Sequence, residues 1–262
     1  MIAASAPDDP DTGSALQVWA VFFVCAILVN GTLPFILGAD LRAWTESSAK
    51  GVLFHGLIYA GLFLATPLLL AKGWRTVSQP SFWLPVLAAA VALALRPIVG
   101  RAMAGLVIPL LAYLHWRFDL SSLGFRSRSW KGDLAAAALL SLLNAVPAFL
   151  RPDLPSGAFG PAALAGLDRL LANPASTVEN LFYFGFLAER LAPRAGRWLT
   201  PVIVGALYTA HEMTNPEYWY AGMSFFLVFA GVTLMAALYL WRRNVVVIWL
   251  GDGLGRLVGQ LV

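Results

Sequence analysis

A train of apolar runs constrains this chain more than any other feature. Residues 16–37, 52–70, 82–99, 103–115, 134–150, 175–191, 199–213 and 218–241 are apolar with few charges, and a ninth run, 245–262, is interrupted by Asp252 and Arg256. Crossing the hydrocarbon core takes about 20 residues as a helix, and most of these runs approach that length. Charged residues make up 12% of the 262, where a soluble domain carries roughly 25%. The reading is all-α, a polytopic transmembrane helical bundle of about eight to nine helical segments. It is multi-pass in the cell membrane, with the lipid bilayer as its first partner.

The formal charge of +4 does not call for nucleic acid, because basic residues in such a chain mostly mark cytoplasmic loops. Taking 117–131 as cytoplasmic puts Lys72 and Arg75, Arg190, Arg194 and Arg197, and Arg242 and Arg243 on the same side, with a cytoplasmic N-terminus. Arg42, Lys50, Arg96 and Arg101 fall outside this pattern. The single cysteine, Cys25, excludes an internal disulfide. The polar stretch 1–14 lacks the basic start of a signal peptide and reads as a tail. Residues 15–118 read as N-terminal transmembrane helices and 119–262 as the core. Within these, 155–160 reads as loop and 161–171 as a short surface helix.

Ionisable groups at membrane depth are costly, so each is a functional candidate. Glu179 and His211 stand in two successive apolar runs, and a carboxylate with an imidazole is a pairing suited to activating water. The bland alternative for Glu179 is a helix start capped by Ser176 or Thr177. At about 1.5 Å per residue, Glu179 lies roughly 16 Å and His211 roughly 21 Å above the cytoplasmic ends of their helices. Asp252 and Arg256 lie roughly 14 and 20 Å up by the same rise. Four polar groups from three helices thus fall at similar depth, as a site inside a bundle requires. Asp252 and Arg256, spaced i and i+4, also suit a plain salt bridge. Glu212 is adjacent to His211, so it is expected to point roughly 100° away, towards a cap or the outer surface. The run 211–215, HEMTN, lacks the second histidine of a zincin site. His55 and His115 have no acidic neighbour and read as structural.

Three stretches together resemble the CPBP intramembrane proteases, which include type II CAAX prenyl endopeptidases and bacteriocin-immunity proteins. Glu179-Asn180-Leu181-Phe182-Tyr183-Phe184-Gly185-Phe186-Leu187 is similar to the family's EExxxR motif with its Gly-Phe-Leu continuation. Leu207-Tyr208-Thr209-Ala210-His211 is similar to FxxxH, and the HxxxN or HxxxD motif would fall on Asp252-Gly253-Leu254-Gly255-Arg256. The stretch before it, with Phe229-Ala230-Gly231 and Arg243-Asn244, resembles the family's preceding helix and turn. The likeness runs from about residue 120 onward, with Leu123-Gly124-Phe125 a weak additional match.

The resemblance implies an endopeptidase acting on membrane-associated protein or peptide substrates, with Glu179 and His211 activating water. The departures are Asn180 and Phe184 in place of the motif's second Glu and Arg, and Asp252 and Arg256 in the third motif. An acid and a base lost together from i and i+4 are often nearly neutral. The third motif's donors stabilise the oxyanion, a task left here to Arg256 with Asp252 orienting it. One Glu and one His are too few ligands for a dedicated zinc site, so no cofactor is expected, with a divalent metal left open. A pseudoprotease that binds membrane proteins as an immunity or scaffolding factor is the second reading. A small transporter ranks last, since the Arg96-Pro97 break has no counterpart in the second half.

Overall fold

The structure is a computed structural model that describes residues 11–95, 108–117, 119–150, 179–220 and 224–258. The described residues are helical throughout, apart from loops and one isolated antiparallel bridge between Phe125 and Asn244. The first helix, α1 (Asp11–Ile27), continues through a π-helical turn (Leu28–Thr32) into α2 (Leu33–Ile36). Two short helices, α3 (Leu41–Glu46) and α4 (Ser48–Lys50), are capped by Asp40 and Ser47, whose side chains accept from the Ala43 and Lys50 amides. They lead into a long π-helical segment (Gly51–Leu64) and α5 (Ala65–Lys72). Then come α6 (Pro80–Ala94), α7 (Ile108–His115) and α8 (Trp130–Leu150). A third π-helical segment (Leu181–Ala188) enters α9 (Glu189–Glu212), followed by α10 (Pro216–Tyr220), α11 (Phe225–Arg242) and α12 (Val245–Val258).

Among the described residues, two helices are long and apolar enough to cross a membrane, Gly13–Ile36 and Phe225–Arg242. Their apolar side chains face outward as well as inward: Val21, Val24, Phe226 and Leu227 are all more than half exposed. The polar core lies where α1, α9 and the second and third π-helical segments meet. α12 instead lies along α8, where the Ser141 hydroxyl donates to the Gly251 carbonyl.

Gly196, with φ +75°, breaks α9 into two helices, which turns the chain back on itself between the Glu179 and His211 stretches. Gly205 lets α9 and α11 cross closely, because a Cβ there would collide with Thr233. Arg243 takes the left-handed conformation at the α11–α12 turn, and two acids hold that turn. Glu189 pairs with Arg243 and accepts from the Tyr239 hydroxyl at 2.7 Å, and Asp133 pairs with Arg242 at 2.7 Å. Asp133 also accepts from Ser127 at 2.6 Å and Asn244 at 3.0 Å.

Candidate functional site

Glu179 stands two residues before the third π-helical segment and His211 one residue before the end of α9, so the break at Gly196 and 31 residues of chain lie between them. The structure brings them together: Glu179 Oε1 is 3.9 Å from His211 Nε2. Both are buried, at 4% and 1% exposure. The rings of Phe22, Phe54, Phe63, Tyr59, Tyr183 and Tyr208 surround the imidazole, Phe22 meeting it edge-on with centroids 4.6 Å apart.

Three tyrosine hydroxyls bind the pair. Tyr59 donates to Glu179 Oε1 and lies 3.3 Å from His211 Nε2, so its oxygen sits between the two groups. Tyr208 donates to Glu179 Oε2 at 3.1 Å. The Tyr183 hydroxyl is 3.3 Å from His211 Nδ1 and accepts from Trp19 Nε1 at 3.1 Å. Trp19 and Tyr59 come from the N-terminal helices, and Tyr59 and Tyr183 stand in π-helical segments, a geometry that recurs at functional sites.

The expectation that Glu212 points away is overturned. It is 6% exposed, and a carboxylate oxygen of Glu212, one of Glu179 and a nitrogen of His211 all lie within 4.8 Å of one another. Successive helix positions do diverge by about 100°, but a glutamate has enough torsions to bring its carboxylate back. The turn beyond it is fixed by two N-terminal side chains. Buried Lys50 donates to Asn215 Oδ1 at 3.0 Å, and Asn30 donates to the Thr214 hydroxyl at 3.3 Å, which donates to the His211 carbonyl at 2.8 Å.

Asp252 is half-buried on α12 and does not belong to the cluster. The side chains of Arg256 and His55 lie outside the described residues, as do Arg96, Arg101, Ser176, Thr177 and the stretches 155–160 and 161–171. Phe184, at the position of the motif Arg, is fully buried and packs near the Tyr239 ring, with centroids 6.3 Å apart. An apolar cavity of about 190 Å³ adjoins Asn180, lined by Leu110, Phe125, Leu181, Val245, Val246 and Trp249. No protein-family model, curated protein or solved structure matches the chain.

Proposed function

We propose that the chain is a multi-pass membrane endopeptidase of the CPBP type, cleaving membrane-associated proteins or peptides with water activated at the Glu179–His211 pair. The observation that carries the reading is the buried contact of a carboxylate and an imidazole at 3.9 Å, with a hydroxyl oxygen between them. That oxygen marks where an attacking water would stand once Tyr59 swings aside. Glu179 takes the proton of the water while its oxygen adds to the peptide carbonyl carbon. The tetrahedral intermediate then collapses with loss of the C–N bond, and the proton passes to the leaving amine. Tyr208 holds Glu179 through the second carboxylate oxygen, and Tyr183 holds His211 through Nδ1.

Membrane insertion is supported by the outward-facing apolar side chains, which would form a large water-exposed patch in a soluble monomer. The proposed placing of 117–131, Arg190 and Arg242–Arg243 on one side is supported by the Glu189–Arg243 and Asp133–Arg242 pairs. They gather the starts of α8 and α9 and the end of α11 at one level. The second reading, a binding or immunity factor without cleavage, is favoured by the Tyr59 hydroxyl filling the water position and by the place of Asp252 outside the cluster.

The test compares protein termini in membranes from cells carrying wild type, Glu179→Gln and His211→Ala at equal protein levels. Peptidase action predicts a set of cleaved ends present with wild type and missing with both variants. Identical termini in all three favour the binding reading.

A further inference from the structure

We infer that the groove between α8 and α12 binds one anionic phospholipid at the basic end of the bundle. The phosphate lies on Arg128 and Lys131, and an acyl chain runs along Leu134 and Leu250. The inference rests on the proposed membrane insertion and not on peptidase action.

The shape of the groove follows from how the two helices pair. Asn244 donates to Asp133 at 3.0 Å where they begin, and the Ser141 hydroxyl donates to the Gly251 carbonyl at 3.1 Å about two turns on. Contacts that advance together along both chains make the helices parallel. A cavity of about 200 Å³ opens between their first turns. Ser127, Trp130 and Asp133 line it beside the loop, and Leu134, Val247 and Leu250 line it further along the helices. Leu134 is 61% exposed, so the apolar part opens outward. The groove is thus polar at one end and apolar at the other, as a phospholipid is.

Charge selects the headgroup. The run 126–131, RSRSWK, carries three cations, Arg126, Arg128 and Lys131, with no acid, and all three are exposed. The nearest acid in sequence, Asp133, is held inward by Arg242 at 2.7 Å and by Ser127 and Asn244. It steadies the turn and leaves Arg128 and Lys131 to face the surface. Lys and Arg clustered at the cytoplasmic end of membrane helices attract anionic lipids, and both side chains bind phosphate.

Two tryptophans set the depth. Trp130 and Trp241 are 68% and 63% exposed, with Lys131 at 5.7 Å over one ring and Arg242 at 5.3 Å over the other. Arg242 also donates to the Ser129 carbonyl at 3.1 Å, which brings the two tryptophans to one level. Tryptophan is enriched where a bilayer's headgroups begin. A free phosphate would use neither these rings nor the apolar groove, so the surface fits a lipid.

The test uses the full chain, delipidated in detergent, with retained lipids counted by native mass spectrometry. Phosphatidylglycerol should bind at one per chain, and phosphatidylcholine with the same acyl chains at least about 10-fold more weakly. The double variant Arg128→Gln/Lys131→Gln should lose at least about 10-fold in affinity for phosphatidylglycerol. Leu134→Trp fills the groove without touching a charge and should weaken binding as well. The comparison of the two lipids on wild type decides the matter even if a variant fails to fold. Equal retention of both lipids overturns the inference, and so does either folded variant binding like wild type. Displacement of the lipid by an equal concentration of glycerol phosphate also overturns it and marks a plain anion site. Flotation with phosphatidylcholine vesicles separates this inference from the reading beneath it. A chain that floats yet retains no phosphatidylglycerol overturns the lipid site alone. A chain that does not float overturns membrane insertion, and the site with it.

Discussion

Tyr59 is the residue on which the proposed chemistry turns. Its hydroxyl donates to Glu179 and lies against His211 Nε2, so no water can stand between them until it moves. A hydrogen bond to a charged group contributes about 1.5–3 kcal/mol, which corresponds to about 10-fold or more in rate. Tyr59→Phe keeps the ring and vacates the space of one oxygen, so formation of the cleaved ends should rise by about 10-fold on the same scale. A fall of about 10²-fold would contradict the plug and mark Tyr59 as an oxyanion donor. Of the residues in this cluster, Glu179 and His211 were legible because ionisable groups stand out in apolar runs. Tyr59 and Trp19 were not, since an aromatic residue in an apolar segment carries no pattern of its own. Tyr208 had a signal that was overlooked: it lies three residues before His211, on the same helical face. Glu212 was misread because residue spacing gives the direction of a Cβ, not of a carboxylate three bonds further out.

At the scale of elements, the turn between α11 and α12 is clamped by acids from elsewhere in the chain. Asp133 lies just before the apolar run of α8, at the edge of the bundle. Burial raises its carboxyl, but hydrogen bonds from Ser127, Arg242 and Asn244 outweigh that and hold it below the ordinary carboxylate range. A depressed folded-state pKa contributes stability above the unfolded value of about 3.9 and loses it as pH falls through the folded value. Asp133→Asn should therefore lower the thermal midpoint of the detergent-solubilised chain at pH 7, by roughly 1.5–3 kcal/mol of stability. The gap from wild type should close below about pH 4. An equal gap at pH 7 and at pH 3 would contradict the clamp. The helices were legible as apolar runs, and the break at Gly196 falls in the basic stretch between two of them. The π-helical geometry was not legible, because an i to i+5 ladder leaves no trace in apolar spacing. The depth arithmetic gave heights without directions, and Asp252, level with the pair by that arithmetic, is not among the three groups gathered within 4.8 Å.

At the scale of the molecule, the proposed topology sends 117–131 to the cytoplasm and the stretch after α2 to the opposite side. With Cys25 replaced by Ala, single cysteines at Ala39 and Arg128, both exposed, report the two sides. A membrane-impermeant maleimide should label Ala39→Cys in intact cells and Arg128→Cys only after permeabilisation. Labelling of both before permeabilisation would contradict the orientation. The central claim is that Glu179 and His211 act as one unit on water, and the most direct test is a four-way comparison of the cleaved ends. Wild type, Glu179→Gln, His211→Ala and the double variant are expressed at equal levels, and the abundance of each new terminus is measured. Residues that act as a unit are grossly non-additive. Both single variants and the double should therefore fall to the same floor, about 10³-fold or more below wild type. Ends that persist with Glu179→Gln, or single losses that multiply in the double variant, would contradict the shared role.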